Sequence, residues 1–360
     1  MKEKKRILSG LLAFVLVLSA FAGCQSSDTE SSSSSAESSG SKGNEEVSSS
    51  VESESEPEKS EKEKVDLHLA DMSVYGIAIF NYAQEIGLLD GYFDDLNYDV
   101  NVELSEWASG VDQNSAYAAG EIDFSSMGDI PAVSGASGGY GTKILAVNYL
   151  YDNEYVLVAG KDSGIEKISD LKGKNVGTYV GTVTHYAVAK YLEAGGLTIN
   201  DVNLLNVGAE AATSLRNGDI DATVLGNVVA HQLEEENSGH ILSEDQVPIY
   251  NYVVGREEFA EKYPEITVRV LELINDTWDY ALEHQDEYIE FYAGVSGTEV
   301  SVIEASWKDN FPIKSAKDFD DDDYQQYIDF VDWMKSVEYV SSDLDPDSLL
   351  DLTYVKSLTK

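Results

Sequence analysis

Beyond residue 64 the chain switches repeatedly between two hydrophobic periods. Val65, Leu67 and Leu69 fall at every second position, the period of a strand with one buried face. Residues 77–86 follow at helical spacing and stop near Gly87. Val100, Val102 and Leu104 repeat the alternation, and a helix is predicted from Ser109 to Ala119, with Gly120 at the expected left-handed C-cap. Short apolar runs at Ile122–Ser126, Ile144–Tyr149, Tyr155–Ala159, Val176–Tyr179, Leu204–Val207, Ala222–Leu225 and Ile249–Val254 read as strands. Helical stretches at Ile130–Ser137, Thr184–Ala194, Ala209–Asn217 and Val228–Glu236 are interleaved with them, and from Glu257 the pattern is mostly helical, including Ile266–Leu282 and Tyr324–Val337. Such alternation predicts an α/β architecture with largely parallel sheets. Gly120-Glu121-Ile122-Asp123 and Gly218-Asp219-Ile220-Asp221 each end a helix and open a strand, an echo that suggests two similar lobes.

The first 64 residues follow different rules. Lys2, Lys4, Lys5 and Arg6 precede an apolar run, Ile7–Ala20, too short for a comfortable membrane span. Phe21-Ala22-Gly23 then leads into Cys24, the only cysteine, in the manner of a bacterial lipobox with Phe21 in the usual leucine position. Residues 1–23 are therefore expected to be a lipoprotein signal peptide, with Cys24 as the lipidated N-terminus. A lone exported thiol has no disulfide partner, and acylation gives it a role. Residues 24–64 comprise that cysteine and a tether; sixteen of the forty residues after Cys24 are serine, and disorder is expected. A flexible chain of this length spans roughly 35 Å, enough to hold a domain above a membrane. The expected location is the extracellular face of a cell membrane, in a Gram-positive host.

Charge narrows the partners. Of the net −42, −38 belongs to residues 65–360, a surface that repels nucleic acid. The five histidines show no paired ligand spacing, so no metal and no cofactor are expected. Asp320–Asp323 lacks the spacing of a calcium loop and suits the N-terminus of the following helix. No phosphate-binding loop, dinucleotide fingerprint or nucleophile elbow occurs. The four tryptophans read as packing residues.

Several segments carry a family resemblance: Gly120–Asp123 with Gly128-Asp129-Ile130-Pro131, Asp162–Ile165 with Asp170-Leu171-Lys172-Gly173-Lys174, Gly181-Thr182-Val183-Thr184-His185-Tyr186, and Gly218–Ala222. Here the chain resembles the solute-binding proteins of the nitrate/sulfonate/taurine type, which include binders of thiamine pyrimidine precursors. The resemblance implies a two-lobed periplasmic-binding fold of type II, with two crossover strands and a ligand cleft. Lobe one would comprise residues 65–160 and 250–360, with the C-terminal helices packed back on it; lobe two would comprise 161–249. The stretch Leu225-Gly226-Asn227-Val228-Val229 departs from the aromatic-and-proline pattern that relatives often show, and the loop Asp71–Gly76 lacks a recognisable family pattern.

In open α/β sheets ligands sit beyond the strand C-termini, where helix starts present unpaired N–H groups. Four loops fit, and from them Ser73, Tyr75, Gly128, Asp129, Gly181, Thr182, Thr184, His185 and Asn227 are the candidate ligand-binding residues. Gly128 and Gly181 allow close backbone approach; Thr182 and Thr184 offer hydroxyls or cap their helix. Asp129 serves either as an N-cap or as a partner for an amine. His185, at a helix start, is expected to be exposed when it is not a ligand. No Arg or Lys lies in these loops, and Asp129 disfavours a simple anion such as nitrate.

The expected protein is the non-enzymatic, monomeric substrate-binding subunit of an ABC importer. It would deliver a small organic solute, a sulfonate or taurine-like one by family default, to a membrane permease and its ATPase subunits. The alternatives are a binder of a thiamine pyrimidine precursor or other heterocycle, and a ligand-sensing receptor uncoupled from transport.

Overall fold

The computed structural model describes residues 62–72, 78–151, 155–243, 247–297, 299–307, 317 and 319–358. The signal segment, Cys24, nearly all of the tether, Ser73 and Tyr75 lie outside these residues.

Ten strands and twelve α-helices follow in order: β1 (Glu63–Asp71), α1 (Ile79–Glu85), β2 (Tyr98–Glu106), α2 (Gly110–Ala119), β3 (Phe124–Gly128), α3 (Asp129–Ser137), β4 (Thr142–Tyr151), β5 (Tyr155–Gly160), β6 (Asn175–Thr178), α4 (Val183–Ala194), β7 (Asn203–Asn206), α5 (Ala211–Asn217), β8 (Ala222–Gly226), α6 (Asn227–Glu235), β9 (Gly239–Ser243), β10 (Ile249–Arg256), α7 (Glu257–Lys262), α8 (Pro264–Glu283), α9 (Gln285–Ser296), α10 (Val300–Trp307), α11 (Asp321–Ser336) and α12 (Val355–Leu358), counted among the described residues. The first strand begins two residues inside the stretch read as tether, because Glu63 and Lys64 pair with Tyr98 and Asp99.

The strands form two five-stranded sheets, ordered β2-β1-β3-β10-β4 and β7-β6-β8-β5-β9. Within each sheet, four strands run in one direction, three of them paired side by side, and the crossover strand enters antiparallel to both its neighbours: β10 in the first sheet, β5 in the second. The sheets are therefore mixed rather than largely parallel. The chain passes to the second sheet between Tyr151 and Tyr155, and returns between Ser243 and Ile249. Strand Tyr155–Gly160, assigned to lobe one from sequence, thus belongs to the second sheet, where Val156–Ala159 are buried between β8 and β9.

The Gly-acid-Ile-Asp echo has a physical basis. Gly120 and Gly218 end α2 and α5 in the left-handed conformation, at φ 76° and 75°. Three residues on, an aspartate at the start of the third strand in each sheet's order ties it to the second, β3 to β1 and β8 to β6. Asp123 Oδ2 accepts the His68 N–H at 2.9 Å, and Asp221 Oδ2 accepts the Asn175 N–H at 2.9 Å. The crossover strands end on the same aspartates: Arg256 N–H donates to the Asp123 carbonyl at 2.8 Å, and Gly160 N–H to that of Asp221 at 2.9 Å.

Helices α7, α8 and α12 pack on the first sheet's side, with Ile266, Val270 and Ile274 of α8 in a core shared with Leu67, Leu69 and Phe80. Helix α11 departs from the expected packing on lobe one alone. Phe330 and Trp333 meet Tyr186 of α4 in lobe two edge-on, while Tyr327 meets Tyr252 of β10. Asp320 caps α11, accepting the N–H groups of Asp322 and Asp323 at 2.9 Å, as the run of four aspartates predicts. Among the described residues no helix is long and apolar enough to cross a membrane.

Candidate functional site

Because both sheets share one order, their third strands, β3 and β8, end on equivalent helix starts, those of α3 and α6. Gly128 and Gly226 occupy the two N-cap positions. A cavity of about 500 Å³ opens there between the lobes. Lobe one contributes Gly128 to Pro131 and the start of α2; lobe two contributes Tyr179, Gly181 to Thr184, and Leu225 with Gly226; the crossover region adds Tyr149, Tyr155, Tyr250 and Asn251. The walls are mostly apolar or aromatic, which suits the organic part of a solute.

Five of the nine candidate residues line this space: Gly128, Asp129, Gly181, Thr182 and Thr184. At Gly128 an added Cβ would meet no heavy atom within 4 Å, so the backbone is open to close approach. Gly181 has φ 91°, a conformation that excludes most other residues. The two threonine hydroxyls are used within their own loop: Thr182 Oγ1 donates to the Tyr179 carbonyl at 2.7 Å and lies 2.9 Å from Thr184 Oγ1. No side chain caps α4 or α6. Their first main-chain N–H groups, together with the positive end of each helix dipole, are what lobe two offers an acceptor or an anion.

Lobe one is different, because acids already occupy the starts of α1 and α3. Asp71 accepts the Asn81 N–H of α1 at 2.7 Å, and Asp129 Oδ1 accepts the Ile130 N–H at 2.7 Å. Asp129 is the first residue of α3 rather than its N-cap, which is Gly128. Burial raises its carboxyl to about 7. An acid raised in the fold keeps its full contribution below its ordinary range and loses it as pH rises through the folded value. Asp129→Asn is therefore expected to be more stable than the wild type by roughly 2 kcal/mol near pH 8, the advantage vanishing near pH 4. Urea unfolding at both pH values measures it.

His185 and Asn227 do not line the cavity. His185 is buried rather than exposed: its Nδ1 lies 3.2 Å from Tyr339 Oη, and its ring meets Trp333 edge-on at 5.4 Å. Burial lowers its pKa and favours the neutral ring. The partners sit about 150 positions away in sequence, beyond any local signal. Asn227 opens α6 with its Oδ1 buried and, among the described residues, without a hydrogen-bond partner. Among the described residues the lining carries one carboxyl, and no histidine, cysteine, lysine or arginine.

Sequence reading missed the contributions of the crossover strands. Asn251 sits on β10 in register between Gly128 of β3 and Tyr149 of β4. Behind it runs a buried polar chain. Trp278 Nε1 donates to Asn148 Oδ1 at 2.8 Å, Asn148 Nδ2 donates to Ser126 Oγ at 2.6 Å and to Asn251 Oδ1 at 3.2 Å, and Ser126 Oγ donates to the same Asn251 Oδ1. The only local sign is a run of polar residues inside strands that are otherwise apolar.

Comparison with known proteins bears on the family and the fold. Residues 82–288 match the family described as NMT1/THI5 like. A Bacillus subtilis protein provisionally named for binding aliphatic sulfonates is 22% identical over 272 residues, 74% of this chain and 81% of its own. A Haemophilus influenzae protein, provisionally named for thiamine biosynthesis, is 27% identical over 184 residues, 49% of this chain and 59% of its own. Among solved structures, the periplasmic aliphatic sulphonate binding protein SsuA of Escherichia coli superposes with a TM-score of 0.69 at 18% identity, over 79% of this chain and 92% of its own. The desulfurization enzyme DSZB does so at 0.58 and 14% identity, over 81% and 98%. The chain therefore belongs to the NMT1/THI5-like family and carries the two-lobed periplasmic-binding fold, with a cleft between two like sheets.

Proposed function

We propose that the protein is the extracytoplasmic, non-enzymatic substrate-binding subunit of an ABC importer, and that its cargo is a small organic sulfonate. One observation carries this reading: Gly128 of lobe one and Thr182 of lobe two line a single cavity. A solute there touches both lobes at once, so it binds the closed arrangement better and shifts the population toward it. The sulfonate group suits the uncapped starts of α4 and α6. The organic body suits the tyrosine walls, which a bare inorganic anion would leave unused. Lipid at Cys24 holds the monomer outside the membrane, within reach of a permease and its ATPase subunits. A lining with one carboxyl and no histidine or cysteine supports capture rather than catalysis. The sulfonate-binding relatives support the same cargo.

Tyr149, Tyr155, Tyr179 and Tyr250 favour a second reading, a thiamine-type pyrimidine held between rings, which the Haemophilus influenzae relative also supports.

A thermal-shift screen of alkanesulfonates, amino-sulfonates, nitrate, pyrimidines and polyamines separates these. An alkanesulfonate is expected to raise the melting temperature and nitrate is not. Pyrimidines alone doing so would replace the first reading by the second. The pH profile then divides the sulfonates, since Asp129 gains charge as pH rises through about 7. A simple sulfonate binds more tightly below that pH, and an amino-sulfonate with its ammonium on Asp129 binds more tightly above it.

A further inference from the structure

Asn251 is 2% exposed, and its Nδ2 has no hydrogen-bond partner among the described residues, although the residue lines the cavity. A buried amide donor left unmade is costly, so it points to something the protein itself does not supply. The orientation of the amide is fixed by its neighbours. Oδ1 accepts from both Asn148 and Ser126, and Asn148 is itself held by the Trp278 indole N–H, which can only donate. The chain of donors runs one way, from α8 to the cleft, and ends on two unused N–H bonds. They sit on a crossover strand, directly across from Gly128 in the β3–β10 register.

We propose that Asn251 is a specificity-determining residue whose Nδ2 donates to an oxygen of the solute's acidic head group, while the uncapped helix starts of lobe two hold the others. This rests on the sulfonate reading for the identity of the head group. Asn251 then selects for an acceptor and against a solute that presents an amine at that point. Because it stands on β10, it also couples the solute to the strand that joins the lobes. Asn148 and Ser126 are positioning residues that act through it.

The test compares butanesulfonate binding by calorimetry in the wild type, Asn251→Asp and Ser126→Ala, with melting of the ligand-free proteins as a check on folding. Asn251→Asp keeps the size and the acceptor facing Ser126, but replaces the donor by a second acceptor. It is expected to weaken binding at least about tenfold, and Ser126→Ala, which frees the amide to rotate, by about threefold. Affinities within about twofold of the wild type in folded Asn251→Asp would overturn the proposal. Should that variant fail to fold, the wild-type butanesulfonate complex decides. A sulfonate oxygen about 3 Å from Nδ2 supports it, and a head group out of hydrogen-bond reach overturns it. If the wild type binds no sulfonate, the transport cargo has been misassigned, and Asn251 is judged on the ligand-free protein at high resolution. Nδ2 donating to a cavity water supports its role, and an amide turned onto a protein acceptor removes it.

Discussion

Gly128→Leu is expected to lower solute affinity by at least about a hundredfold while the ligand-free fold loses about 1 kcal/mol at most. The backbone at Gly128 has φ −64°, which any residue adopts without strain. An added Cβ would meet nothing within 4 Å, so a leucine side chain enters the cavity rather than the core. The small stability loss comes from placing an apolar side chain at the N-cap of α3, where glycine is the better residue. Calorimetry against butanesulfonate and a melting curve check both halves. Undiminished binding would place the solute elsewhere than between Gly128 and Thr182.

Asp123→Ala is expected to have the largest effect on stability, about 3 kcal/mol, because it strands a charge and breaks the junction of three strands. The Asp123 carboxylate is fully buried, accepts the His68 N–H at 2.9 Å and lies 3.0 Å from His68 Nδ1. Arg256, at the end of β10, donates to its Oδ1 through Nε at 3.1 Å and also through Nη2. The corresponding change in lobe two, Asp221→Ala, is expected to cost about 1 kcal/mol, since Asp221 is only half-buried and its side chain accepts the Asn175 N–H without an arginine partner. Urea unfolding of the two variants measures the difference. Equal losses would mean that the arginine contributes nothing to the first lobe.

The alternating strands and helices were readable because each element is local. The period-two run of β1 and the glycine ends of α2 and α5 place themselves without reference to the rest of the chain. The Gly-acid-Ile-Asp echo disclosed the two lobes for a physical reason, since Asp123 and Asp221 do the same work in equivalent strands. Strand direction was not readable. β5 and β10 are buried along nearly their whole length, and a continuous apolar run is the same whether its neighbours run parallel or antiparallel. β9 was missed because Gly239–Ser243 is short and follows a helix closely.

The site divided along the same line. Gly128 and Thr182 belong to strand-to-helix turns, which sequence marks with glycine and threonine, and both line the cleft. Asn251 and Tyr250 reach it only because β10 returns from the second sheet to lie between β3 and β4. His185 does not line the cavity for the converse reason: Trp333 and Tyr339 arrive from the far end of the chain to cover it.

Hydrogen exchange of the protein with and without butanesulfonate tests most directly whether one small molecule is held by both lobes. Slowed exchange is expected together at the helix starts of residues 128–131, 182–186 and 226–230, with the flanking surface unchanged. Protection confined to a single lobe, or found only outside these three turns, would contradict a solute gripped across the cleft.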